Sequence, residues 1–313
     1  MPSASAAPTA RSRSAACASA IKKVLAFLVL VVALAAGWIY HFARTPVALP
    51  AVPYEFTVHP GSGLKAVSRQ LAGDGVFIEG ETFWILGRLL GKARSIQAGI
   101  YRLDKPVTPL ELLDKLARGD VMLLEVVFVE GTTLKQWLAQ LAAAPQVRHT
   151  LAGKDDAEIR AIVGGGPEPL EGWLFPDTYR FAPGALDVDV LKRAHATMKR
   201  RLADVWAARD PAVPIATPYD ALILASIVEK ETGQAVERPL IASVFVNRMK
   251  RGMRLQTDPT VIYGMGERFD GNIRKKDLTA DTPWNTYTRD GLPPTPIAMP
   301  GGASLRASVH PAD

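Results

Sequence analysis

Between Lys23 and Arg44 the chain carries no charge for most of the thickness of a bilayer. Val24–Tyr40 is seventeen residues without a charged side chain, and the stretch stays largely apolar to Ala43. At 1.5 Å rise per residue about 20 residues cross the hydrocarbon layer, so residues 21–43 are expected to form a transmembrane helix. A cleaved signal peptide is the competing reading, because Ala33-Leu34-Ala35 could pass for a cleavage site. Signal cores run only about 7–15 residues, however, and here the apolar run continues through Gly37-Trp38-Ile39-Tyr40. Trp38 and Tyr40 sit where an interfacial aromatic belt belongs. Arg11, Arg13, Lys22 and Lys23 precede the span and only Arg44 follows closely, which places the N-terminus in the cytoplasm and the bulk outside.

That topology also accounts for the net charge of +6. Residues 1–44 hold five basic and no acidic side chains, leaving 32 basic against 31 acidic beyond them. The basic excess is a topology signal, and nothing argues for a nucleic-acid partner. Residues 1–20, rich in Ala, Ser and Pro, are expected to form a low-complexity cytoplasmic tail. The single cysteine, Cys17, lies before the apolar run, so the exported part has neither a disulfide nor a thiolate metal ligand. His59, His149, His195 and His310 form no HxxxH or HxH pair, and neither a metal nor any other cofactor is expected.

Residues 44–53 hold prolines among small residues and form an extended spacer. An apparent repeat follows. Phe56–Lys65 recurs 70 positions on as Val126–Lys135, with Gly61/Gly131, Leu64/Leu134, Lys65/Lys135, Gln70/Gln140 and Leu71/Leu141 in register. Each copy alternates like a strand, turns at Gly, offers Ser or Thr as a helix N-cap and continues with helical spacing. Between them lie a helical stretch at Glu81–Leu90, a strand-like Gly99–Leu103 and a helix from Thr108 to Arg118. Such units suit a small α+β binding module over 54–150; the alternative is two unrelated corners sharing one turn chemistry. Gly164-Gly165-Gly166-Pro167 marks a break and precedes no phosphate-binding pattern. Helices are expected at Val188–Ala208, Tyr219–Glu231 and Arg238–Arg251. From Met253 the chain is rich in Gly, Pro, Thr and Asn with few helical patterns, so loops are expected.

Candidate chemistry concentrates in Leu222–Gly264. Mostly apolar Ala221–Val228 leads straight into Glu229, Lys230 and Glu231, and a polar cluster follows at Gln256, Thr257, Asp258, Thr260 and Tyr263. A carboxyl held against an apolar helix is costly to ionise, which would make a proton donor suited to glycoside chemistry. The alternative is that Glu229 and Glu231 mark where a buried helix surfaces, and spacing does not choose between them. Glu171 and Glu267 are further carboxylates of interest. Asp258-Pro259 has the form of a turn start, and Asn285, Thr286 and Tyr287 could bond to and stack on a sugar.

Several of these segments together carry a family pattern. SIVEKET, Asn247-Arg248, GMRLQTDPTVIYG, NTYT at 285–288, GLPPTPIAMPG and EGWLFPDTY at 171–179 closely resemble the endolytic murein transglycosylases, as does the layout of anchor plus binding module. The resemblance runs from the span to the chain's end. It implies an α+β fold with a single N-terminal transmembrane helix, a LysM-like glycan-binding module at 54–150 and a mixed α/β catalytic domain at 165–313. It implies a peptidoglycan lyase that cuts between N-acetylmuramic acid and N-acetylglucosamine without water, leaves 1,6-anhydro ends and so terminates new strands. One glutamate serves as acid and then base, since the nucleophile is already tethered to the sugar; the resemblance assigns that role to Glu229. Gln256, Asp258, Asn285 and Tyr287 become candidate substrate-binding residues. The implied partners are glycan strands, the bacterial inner membrane (crossed once, catalytic domain periplasmic) and peptidoglycan synthases. Family members continue past His310-Pro311 with a further strand and an Glu-His-Asn motif, whereas this sequence stops at Asp313. The catalytic domain is therefore expected to be incomplete, which leaves a non-catalytic glycan-binding scaffold as the alternative function.

Overall fold

The structure, a computed structural model, describes residues 10–77 and 80–312. The first nine residues of the expected tail, and Asp313, lie outside the described residues. The chain is mixed α+β and divides into two compact units, one through Met122 and one from Leu123.

The first unit opens with α1, Ala10–Arg44. This helix begins well before the expected span, within the Ala-rich tail, where Ala and Arg are strong helix formers. Its Lys22–Arg44 portion is long and apolar enough to cross a membrane. Then follow β1 (Tyr54–Val58), α2 (Leu64–Gly73), α3 (Gly80–Leu89), β2 (Gly99–Leu103) and α4 (Pro109–Arg118). β1 and β2 pair antiparallel, with Tyr54 opposite Leu103 and Val58 opposite Gly99. Strand alternation turns Tyr54, Phe56 and Val58 inward onto Leu64, Tyr101 and Leu113. At the start of α4, Thr108 accepts from the Glu111 N–H while the Glu111 carboxylate accepts from the Thr108 N–H at 2.8 Å, and Gly119 ends the helix in the left-handed conformation.

The second unit comprises β3 (Leu124–Val127), α5 (Leu134–Ala143), α6 (Asp156–Val163), β4 (Thr178–Phe181), α7 (Asp187–Ala207), α8 (Pro218–Glu231), α9 (Arg238–Lys250), α10 (Asp258–Met265), α11 (Lys275–Thr279) and α12 (Gly302–Val309). The helices expected at 81–90, 188–208, 219–231 and 238–251 appear within a residue of those bounds as α3, α7, α8 and α9. The tail from Met253 differs from expectation, because it folds three helices among its loops. α12, whose sequence is mostly Gly, Ala and Ser, conceals its buried face: Leu305, Ala307 and Val309 pack against the α8 region. Its buried Ser308 hydroxyl is satisfied by the Leu305 carbonyl at 2.9 Å, so a serine can occupy an apolar contact.

Both copies of the repeat form strand, turn and helix. Gly61 and Gly131 sit at φ +82° and +76°, a region only glycine enters without strain, and the helices start in register at Leu64 and Leu134. The caps differ. Thr133 accepts from the Gln136 N–H as expected, whereas the first copy places Gly63, not Ser62, at the cap position. The copies also fall in different units. β3 pairs with β4, well past residue 150, and Leu134, Trp137 and Leu141 share a core with Leu170, Leu174 and Leu191. The second strand–helix corner therefore packs with the C-terminal unit rather than closing a separate module at 54–150.

Candidate active site

The site is organised by α8. Thr217 caps it and accepts from the Asp220 N–H at 3.1 Å, while Asp220 accepts from the Thr217 N–H at 2.8 Å and Pro218 occupies the first turn. Every residue from Ala221 to Glu229 is buried, so this is a core helix apolar on all faces. Its one internal hydroxyl, Ser226, donates to the Ile223 carbonyl at 2.7 Å and accepts from the Ile297 N–H at 3.0 Å. That bond fixes the 297–301 loop against the helix.

At the C-terminal end of α8, three consecutive charged residues project about 100° apart and meet three different environments. Glu229 points inward. Its side chain is only 4% exposed, its Oε1 accepts from Arg238 Nη2 at 2.7 Å, and its Oε2 accepts from the Gly301 N–H at 2.8 Å. Arg238 is itself buried and reaches Glu130 at 3.4 Å. Lys230 donates to the Gly131 carbonyl at 3.1 Å. Glu231 is exposed and accepts a hydrogen bond from the Thr257 hydroxyl.

Of the polar cluster expected near the carboxylates, Thr257 reaches Glu231 and not Glu229, whereas Tyr263 turns to Glu171. Gln256, in a left-handed backbone conformation at φ +52°, is exposed, and its amide oxygen accepts from Arg248 at 3.4 Å. Asp258 begins α10 rather than a turn, and it accepts from the Tyr287 hydroxyl at 2.6 Å. Partial burial, that hydrogen bond and the charges of Asp258 and Glu231 together push the Tyr287 phenol up to about 12. Below the cluster, Thr286 accepts from the Thr257 N–H at 3.1 Å, and its hydroxyl lies 2.8 Å from that of Thr260. These buried threonines hold α10 against the 285–288 loop.

Asn285 stands apart from its expected role. It is buried, its Nδ2 donates to the carbonyls of Asp277 (3.3 Å), Leu278 (3.1 Å) and Ala280 (2.7 Å), and its Oδ1 accepts from the Tyr287 N–H at 2.9 Å. With both ends of the amide engaged by backbone, it organises the loop that presents Tyr287.

Two groups escaped notice in the sequence or were undervalued there. Arg238 carried a signal: a basic residue in the first turn of a helix opposes the macrodipole, so a nearby carboxylate is expected to compensate it. Glu171 is the second. It is buried at 7% exposure, both its oxygens accept from the Leu134 N–H (3.0 and 3.2 Å), and Tyr263 donates to it at 3.2 Å. Burial dominates over these hydrogen bonds and raises the carboxyl to about 7. Glu171 lines a cavity of 890 Å³ together with Lys135, Lys230, Tyr263, Glu267 and Trp284, and neither Glu229 nor Glu231 opens into it.

A buried helix here delivers carboxylates to the surface of a mixed α+β unit. The chain belongs to the YceG-like family, whose model matches residues 56–313. It is 31% identical over 268 residues to a Bacillus subtilis protein named endolytic murein transglycosylase, covering 80% of this chain and 74% of that one. A Streptococcus pneumoniae protein of the same name is 26% identical over 326 residues, covering 92% of this chain and 58% of its own length. Among solved structures, a YceG-like protein from Listeria monocytogenes superposes with a TM-score of 0.52 at 27% identity, over 83% of this chain and 91% of that one.

Proposed function

We propose that this chain is a membrane-anchored endolytic peptidoglycan transglycosylase, and that Glu231 rather than Glu229 is its acid/base. One observation carries the assignment of the residue. Glu231 is an accessible carboxylate at the end of a rigid buried helix, within the cluster of Thr257, Asp258, Tyr287 and Gln256. Glu229 has each oxygen held by the core, by Arg238 and by the Gly301 N–H, which favours Glu231 as the group that reaches a glycosidic oxygen. The names of the relatives support the reaction class.

In this reading Glu231 gives its proton to the glycosidic oxygen as the bond from C1 of N-acetylmuramic acid to O4 of N-acetylglucosamine breaks. It then takes the proton of the muramoyl C6 hydroxyl as that oxygen bonds to C1, closing the 1,6-anhydro ring. The tethered hydroxyl supplies the nucleophile, so no second catalytic carboxylate is required. Thr257 orients the Glu231 carboxylate, while Gln256 and the Asp258–Tyr287 pair line the approach. The strand–turn–helix units within 54–150 hold glycan. The α1 span anchors the chain in the bacterial cell membrane with the N-terminus cytoplasmic, where it ends new strands beside the synthases that make them.

The test is digestion of purified sacculi, with the products analysed by mass spectrometry. Anhydro-muramoyl ends that vanish in Glu231→Gln, with thermal stability unchanged, are expected. Reducing ends would show hydrolysis and overturn the water-free mechanism. Binding without cleavage would make the chain a scaffold.

A further inference from the structure

The first unit carries an apolar surface that its own core does not explain. At the C-terminal end of α3, Leu89 is 67% exposed, Leu90 45% and Ile85 39%. Three large aliphatic side chains together on one exposed helix end are unusual for a surface facing water. Leu89 and Leu90 border a groove of 520 Å³ whose other wall is α1: with Leu86 they face Val32, Ala36 and Ile39 across it. Arg44 is the only charged residue in the lining.

Where this groove sits relative to a bilayer follows from helix arithmetic. Lys22 and Lys23 mark the inner boundary of the span, and about 20 residues at 1.5 Å each bring the outer boundary of the hydrocarbon to the neighbourhood of Ala43. Ala36 then lies roughly 10 Å inside that boundary and Val32 roughly 16 Å, near the midplane. A groove shared between those residues and the end of α3 extends below the level at which the span leaves the hydrocarbon. Where the groove meets the end of the span, the Arg44 guanidinium stacks 4.7 Å from the Tyr40 ring, a cation and an aromatic of the kind that sits at a membrane interface.

We propose that the C-terminal end of α3, Ile85 to Leu90, is immersed in the outer half of the bilayer, with a phospholipid acyl chain in the groove and its phosphate against Arg44. The groove is continuous with the lipid-facing surface of α1, whose exposed Val29, Val32 and Leu34 require the same solvent. The first unit is thereby held at a fixed depth on the membrane by two elements rather than hanging from one. This rests on the membrane-anchor part of the proposed function.

Site-directed nitroxide labelling of the full chain in phosphatidylethanolamine/phosphatidylglycerol vesicles tests it. The chain's single cysteine is removed by Cys17→Ser, and labels are placed singly by Leu34→Cys, Leu89→Cys and Arg69→Cys, the last on an exposed position of α2. Expected is an oxygen-to-nickel-chelate collision ratio at 89 that matches the one at 34 and exceeds the one at 69 several-fold. A ratio at 89 equal to that at 69, with 34 still in hydrocarbon, overturns the immersion and leaves the anchor standing. A water-like ratio at 34 overturns the anchor itself and the immersion with it. Leu89 is a surface residue, so its replacement leaves the fold intact.

Discussion

Replacing Glu171 by glutamine should change how stability depends on pH, by an amount the structure sets. The carboxyl is buried between the start of α5 and Tyr263 on α10, and burial raises it from an ordinary 4.5 to about 7. The folded chain therefore holds this proton more tightly than the unfolded chain does. Stability from this group is fully present below pH 4.5 and is lost as pH rises through 7. At 1.36 kcal/mol per tenfold change in proton affinity, the loss is about 3 kcal/mol. For a unit of this size that corresponds to roughly 6–12 °C in Tm. Glutamine keeps the shape and an acceptor for the Leu134 N–H but cannot ionise. Thermal unfolding of the detergent-solubilised chain and of Glu171→Gln, each measured from pH 4.5 to 8.5, should show the variant gaining on the parent by that margin, mostly between pH 5 and 7.5. Parallel curves would refute the reasoning, because they would mean that Glu171 ionises as readily folded as unfolded.

Other perturbations separate positioning from catalysis. Glu231→Gln should lower anhydro-product formation by about 10²–10⁴-fold with Tm unchanged, the range for loss of a general acid/base; retained activity would return the role to another group. Arg238→Met leaves Glu229 buried without its cation and should cost about 3–5 kcal/mol, while adding Glu229→Leu should recover much of it, as read by denaturant unfolding. A double variant no more stable than Arg238→Met would show that the ion pair is not the source of the loss. Asn285→Ala strips the Asp277, Leu278 and Ala280 carbonyls of a shared donor and should lower stability by about 1–3 kcal/mol; a variant that loses glycan affinity at unchanged Tm would restore its role as a ligand residue. Gly172→Ala should destabilise strongly, since the backbone sits at φ +82° and a Cβ there would lie 2.5 Å from Pro296; unchanged Tm would contradict that packing.

Periodicity located α3, α7, α8 and α9 to within a residue, because each buries a continuous apolar face of ordinary aliphatic residues. It missed α12 for a specific reason. Gly302–Val309 is built from small residues and buries two serines, Ser304 and Ser308, so no hydrophobic stripe stands out. α10 was hidden by Asp258-Pro259, which has the same form at a helix start as at a turn. The repeat of Gly61 and Gly131 was legible as turn chemistry, but strand partners were not. That β3 pairs with residues 178–181 depends on contacts across some fifty residues that no local pattern encodes.

At the site, residue types marked an apolar helix that ends in Glu229, Lys230 and Glu231 as a candidate, and the family resemblance added Gln256, Asp258 and Tyr287 to it. A single sequence of three charges cannot say which of them faces water. Helical rotation turns each about 100° from the next, so the answer lies in what packs around the helix end. Arg238 and the Gly301 N–H, brought from 9 and 72 residues away, claim Glu229 for the interior, and Thr257 leaves Glu231 at the surface beside Asp258 and Tyr287. Composition and spacing put carboxylates at the end of that helix; tertiary packing decided which one faces the surface.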